Sequence, residues 1–175
     1  MKTKTKILML CAMLMWTTVL TAQRTPVDDL FDKYSEREGF TVVSISGKMF
    51  SMFSDREKPA DNEGKVISNL KSILILSVED STLNERINFY KELENKMDFN
   101  IYEELMVVKE GRNTTKFLTI QKGEIIKELL VISGGPSGNS IISIKGDFNL
   151  KALSELSETT GIQELEKLDN VDKKQ

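Results

Sequence analysis

No histidine occurs in the 175 residues of this chain, and its one cysteine, Cys11, lies in an N-terminal stretch that reads as a removable leader. Together these absences exclude Ser-His-Asp and Cys-His catalysis, zinc sites of the usual ligands, and imidazole ligation of haem or copper. Enzymatic chemistry would fall to carboxylates, Lys, Tyr, Ser or Thr, or to an oxygen-ligated metal. A single cysteine also leaves no disulfide within the chain, so the hydrophobic core alone must hold the fold. An excess of positive charge is missing too. Lys and Arg number 24 against 27 Asp and Glu, for a net charge of −3, which gives no electrostatic footprint for nucleic acid or an anionic membrane surface. No long apolar run follows the first 22 residues, so no transmembrane segment is expected after them.

What is present begins with that leader. Lys2, Lys4 and Lys6 form a basic n-region, Ile7 to Leu20 an apolar h-region, and Thr21-Ala22-Gln23 a small-residue cleavage region. This is the pattern of a bacterial secretory signal peptide. Leu10 stands before Cys11 where a lipobox needs a small residue, and Cys11 lies inside the h-region, so lipidation is not expected. Residues 1–22 are read as the signal peptide, 23–168 as a single domain, and 169–175 as a disordered charged tail. Removal of three lysines lowers the net charge from −3 to −6. The expected location is periplasmic or secreted, in an oxidising space.

Along the domain, Thr25-Pro26 with Asp28 and Asp29 signals a helix start. Val27, Leu30, Phe31 and Tyr34 recur at helical spacing, and Gly39 is read as the helix end. Phe40 to Ile45 is β-rich. Lys48 to Ser54 reads as a short amphipathic helix. Val66, Ile67 and Leu70 suggest another. Ile73 to Val78 is an apolar run of strand length, consistent with burial on both faces. Thr82 with Glu85 resembles a capping box, predicting a long helix to about Met97. Four β-like runs follow, Tyr102–Lys109, Thr115–Gln121, Ile125–Ser133 and Ser140–Lys145, with short Gly-containing separators that imply an antiparallel meander. Asn149 is placed to cap a helix containing Leu150, Leu153 and Leu156.

The candidate sites are few. Met49, Phe50 and Phe53 form a greasy segment that is either a partner-binding patch or ordinary core, since Met and Phe adapt to many shapes. Asp80-Ser81-Thr82 resembles an acceptor for envelope O-glycosylation at Ser81, although both hydroxyl residues also suit a helix start. Asp55 to Gly64 is rich in oxygen donors but lacks the regular spacing of a calcium loop, so it reads as a solvated linker. The Gly134-Gly135-Pro136-Ser137-Gly138-Asn139 run lacks the Lys and following helix of a phosphate loop and reads as a hairpin loop. Adjacent Glu103 and Glu104 point to opposite faces of a strand and cannot act together. Glu128 suits cross-strand pairing with Lys116 or Lys145. No motif requires a cofactor or a metal.

Three segments carry a family resemblance: Tyr102-Glu103-Glu104-Leu105-Met106, Ile126-Lys127-Glu128-Leu129-Leu130, and Ile142 to Ile144 with Gly146-Asp147-Phe148-Asn149-Leu150. Over most of residues 25 to 160 the chain resembles the domain-of-unknown-function family numbered 4252, small exported proteins of Gram-negative envelopes. That resemblance implies compartment and architecture, and no mechanism. Many members look like lipoproteins, and this chain departs from them at Cys11.

The expected architecture is α+β: a meander extended by the two earlier strands, with helices mainly on one face. The leading functional expectation is a non-enzymatic envelope binding or protein-interaction module, its partner an envelope protein or small ligand. The alternatives are a carrier of an apolar ligand and a carboxylate- or metal-dependent hydrolase. A cavity lined by Met49, Phe50 and Phe53 would favour the carrier, and close buried carboxylates in a cleft the hydrolase. A filled core without a deep cleft would favour the interaction module. The leader yields a direct prediction: the envelope-localised chain has an intact mass corresponding to a start at or near Gln23. A mass retaining Met1, or one carrying acyl chains on Cys11, overturns it.

Overall fold

The computed structural model describes residues 24–54 and 69–149. The chain opens with helix α1 (Pro26–Tyr34), started by Thr25, whose hydroxyl accepts from the Asp28 amide while the Asp28 carboxylate accepts from the Thr25 amide. That reciprocal pair satisfies two donors the helix end would otherwise leave free. The helix stops at Tyr34, a turn before Gly39, which adopts a positive φ of 83° in the loop beyond. Strand β1 (Phe40–Ser46) runs directly into helix α2 (Gly47–Ser54).

Strand β2 (Leu70–Val78) starts earlier than the apolar run suggests, so Leu70 belongs to a strand and not to a helix. Val66 and Ile67 lie outside the described residues, as do the Asp55 to Gly64 linker and the expected segment after Asn149. From β2 the chain crosses to the far side of the sheet through helices α3 (Ser81–Asn84) and α4 (Phe89–Glu94) and a 3-10 turn (Phe99–Ile101). It then returns as the meander β3 (Glu103–Glu110), β4 (Asn113–Lys122), β5 (Ile125–Gly134) and β6 (Ser140–Phe148). All pairings are antiparallel and the order is β1-β2-β6-β5-β4-β3, so the last strand closes the sheet beside β2.

The expected long helix is two short ones. Asp80, not Thr82, is the first cap, accepting from the amides of Thr82 and Leu83. Asn88 then takes an extended backbone and caps α4 through the Lys91 amide. Asn139, from the β5–β6 loop, fixes the break. Its side-chain oxygen accepts from the Phe89 amide at 3.0 Å, and its nitrogen donates to Asn84 Oδ1 and to the Gly135 carbonyl, both at 2.9 Å. Asn84 in turn donates to the Val78 carbonyl at 3.3 Å. In one continuous helix the Phe89 amide would turn to the carbonyl four residues back, and the buried Asn139 side-chain oxygen would lose its donor.

The core has two faces. On one, α1 and α4 pack Val27, Leu30, Phe31, Tyr34, Phe89 and Leu93 over sheet residues such as Leu76, Leu130, Ile132 and Ile141. Tyr34 stacks on Phe40 at 4.5 Å between ring centres, fastening α1 to the start of β1. The other face holds Ile73, Phe117, Leu129, Val131, Ile142 and Ile144, and Phe50 of α2 packs into it. Among the described residues, helices therefore lie mainly on one face, as expected for this α+β class. Two glycines permit close approaches. A Cβ on Gly134 would lie 2.8 Å from the Tyr90 amide nitrogen, and one on Gly146, at a φ of 154°, would lie 2.6 Å from the Asn69 carbonyl oxygen.

Asn139→Ala removes three of these hydrogen-bond partners at once and should cost about 3 kcal/mol. Asn100→Ala, exposed beside its own capping Asp98, should cost less than about 0.5 kcal/mol. Urea unfolding midpoints check both, and equal shifts would deny Asn139 its role.

Candidate functional site

The sheet pattern places one polar cluster on the helix-covered face. Glu128 on β5 stands opposite Lys145 on β6, with Ser143 two residues earlier on the same face. Glu128 is only 9 % exposed. Its Oε1 accepts from the Ser143 hydroxyl at 3.3 Å and lies 4.0 Å from Lys145 Nζ, while Oε2 meets the Tyr102 hydroxyl at 3.5 Å. Of the two lysines that the sequence offers, Lys145 is the partner. Lys116 pairs instead with Glu104 at 3.0 Å. Burial pushes the Glu128 carboxyl above the ordinary glutamate range, and the Lys145 charge only partly offsets this. The Tyr102 hydroxyl is pushed up by burial and then by the neighbouring Glu128 charge. Such a carboxyl can hold a proton where a surface glutamate would not.

A second feature is an open groove of about 640 Å³ between α4 and the β3–β4 hairpin, lined by Tyr90, Glu94, Glu104, Val107, Lys109, Thr114 and Lys116. Lys116 lies over the Tyr90 ring, 5.4 Å from its centre, while it pairs with Glu104. Mixed charge and mutual pairing make this a polar surface, and Glu128 does not line it. Among the described residues no three metal-ligating side chains come together, and no helix is long and apolar enough to cross a membrane.

A third feature is apolar. The large hydrophobic side chains left exposed among the described residues are Val42, Val43, Met49, Met52, Ile101 and Ile125. The first four come from β1 and α2, which are consecutive in the chain. Met52 is the most open, at 64 %. The segment read from the sequence is thus divided. Met49 faces outward, Phe50 is sealed in the core, and the Phe53 side chain lies outside the described residues. Sequence reasoning did not single out Val42 and Val43, whereas Met52 lies within the Met49 to Phe53 segment it marked. The available signal was the absence of charge from Phe40 to Ser46. Ser81 is exposed in the first turn of α3, beside the capping Asp80. The Gly134 to Asn139 run forms the end of β5 and the loop to β6, with Asn139 turned inward.

A six-stranded antiparallel sheet with helices mainly on one side among the described residues defines an α+β domain. Residues 34–156 match the family described as Domain of unknown function (DUF4252), well over half of the chain, and the protein belongs to that family. No curated protein and no solved structure matches the chain.

Glu128 yields a pH prediction. Its folded pKa is raised, so the folded chain holds this proton more tightly than the unfolded chain. Stability from this group therefore falls as pH rises from the ordinary glutamate range through the raised value, and the penalty persists above it. Glu128→Gln should raise the urea midpoint at about pH 8, with the gain shrinking toward about pH 4. A variant that loses stability most at high pH would show that the ionised form is favoured in the fold.

Proposed function

We propose that the chain is an exported, non-enzymatic protein-interaction module of the cell envelope, and that β1 with the outward side of α2 is its working surface. One observation carries this reading: Val42, Val43, Met49 and Met52, most of the large apolar side chains left exposed, come from one continuous stretch of chain. Scattered exposed hydrophobics need no explanation, whereas exposure concentrated in one strand and the helix that follows it is what a docking segment would show. Methionines add adaptable contact area there. The basic, apolar and small-residue order of the first 22 residues supports export. Phe50 weighs against the ligand-carrier alternative, because it fills the core where a carrier would leave a cavity.

Immobilised chain should retain an envelope protein, identified by mass spectrometry, that Met49→Ser with Met52→Ser fails to retain. Ile125→Ser, outside the patch, should retain it. The double variant should keep the circular dichroism of the parent, since both side chains are exposed. Equal capture by all three proteins overturns the proposed surface, and substrate turnover surviving rigorous purification overturns the non-enzymatic reading.

A further inference from the structure

Two strands end the sheet, β1 on one side and β3 on the other. They are built differently. β3 carries Glu103, Glu104, Lys109 and Glu110, and its pairing with β4 shifts register between Glu104 and Met106. Charges and bulges are the devices by which natural sheets prevent a foreign strand from pairing at an edge. β1 has neither. Phe40–Ser46 contains no charged residue and no proline, and its seven residues pair with β2 in unbroken register. Among the described residues no strand lies beyond it in the sheet, so its outward backbone donors and acceptors form a template for a further strand. Val42 and Val43 lean to opposite faces of this edge, and both remain exposed.

We propose that β1 pairs with β1 of a second copy of the chain, antiparallel about a two-fold axis at Val43, joining two sheets into one. This names the partner for the interaction surface above and rests on that reading. Three features favour a second copy over a strand of another protein. A two-fold interface must be self-complementary, and an edge without charge brings no like charges together when it meets itself. An axis at Val43 overlaps the whole strand, setting Val42 against Ser44, Thr41 against Ile45 and Phe40 against Ser46. Each of these pairs sets a larger side chain against a smaller or β-branched one on the same face, and Val43 meets its own copy. β3 could not do this as well, because full overlap would set Glu103 against Glu110.

The test uses the full chain carrying Cys11→Ser, so that an introduced cysteine is the only thiol. Directly opposed residues have Cβ atoms about 5 Å apart, whereas residue 45 and its copy would be separated by about 13 Å along the strands. Val43→Cys should therefore give a disulfide-linked dimer under mild oxidation. Ile45→Cys alone and Thr41→Cys alone should give little, but the two mixed should cross-link. Val43→Lys, which places a charge on the axis, should shift the sedimenting species from dimer to monomer at ~100 μM, a concentration suited to a small interface. If Val43→Lys fails to fold, the cysteine pattern decides alone. A monomeric Val43→Cys, or equal cross-linking at all three positions, overturns the proposal. If that happens while Met49→Ser with Met52→Ser still loses an envelope partner, the interaction surface stands and the second copy is ruled out.

Discussion

The side chain of Asn139 joins three parts of the chain that meet nowhere else in sequence. Its oxygen holds the first amide of α4, and its nitrogen holds Asn84 at the end of α3 and the carbonyl of Gly135 in its own loop. Its backbone oxygen accepts from Val78 at the end of β2. The crossover from β2 to β3 and the hairpin between β5 and β6 are thereby fixed to one point. A buried amide that satisfies all its groups rigidifies its surroundings, because any slip leaves several polar atoms unpaired in an apolar setting. The break between α3 and α4, the seating of Phe89, and the close approach of α4 to Gly134 all depend on this point.

With the crossover fixed, α1 is the remaining cover for that face. Tyr34 stacks on Phe40, and its hydroxyl and the Lys33 ammonium both donate to Glu92 of α4. Burial alone would raise the Glu92 carboxyl, but those two donors hold it below its ordinary value. Glu128 is the opposite case on the same face. It too has hydrogen bonds, yet its nearest cation is 4.0 Å away and burial prevails. The helix-covered side of the sheet thus holds one carboxyl held below its ordinary value and another pushed above it, the second more deeply buried and farther from its lysine.

Much of this was legible in the sequence. The meander followed from Gly-containing separators, because a tight turn needs a residue that tolerates positive φ, and Gly111 and Gly123 both adopt it. The first helix followed from Thr25, Pro26 and Asp28, whose roles are local. The split of the second helical region was not legible. Nothing between Thr82 and Met97 forbids one helix, and the decisive partner, Asn139, lies some fifty residues away. The same limit applies to Phe50 and Met49. They are adjacent in sequence, and only packing against Ile73 and its neighbours decides which one is core. Glu128 offered two lysines, and strand register chose between them.

The position of β6 between β2 and β5 has a consequence for how the molecule comes into being. Until residues 140 to 148 are available, the β1–β2 pair and the β3–β4–β5 meander have no strand to join them. A chain that emerges from its N-terminus therefore carries the β1–β2 pair without its neighbour until β6 arrives, and late in that interval an unjoined meander as well. The apolar rows on β2 and β5 stay open during that interval. Pairings between distant segments form slowly, because the intervening chain must be ordered before any contact rewards it. Strands left open in this way are where mispairing can start before folding is complete.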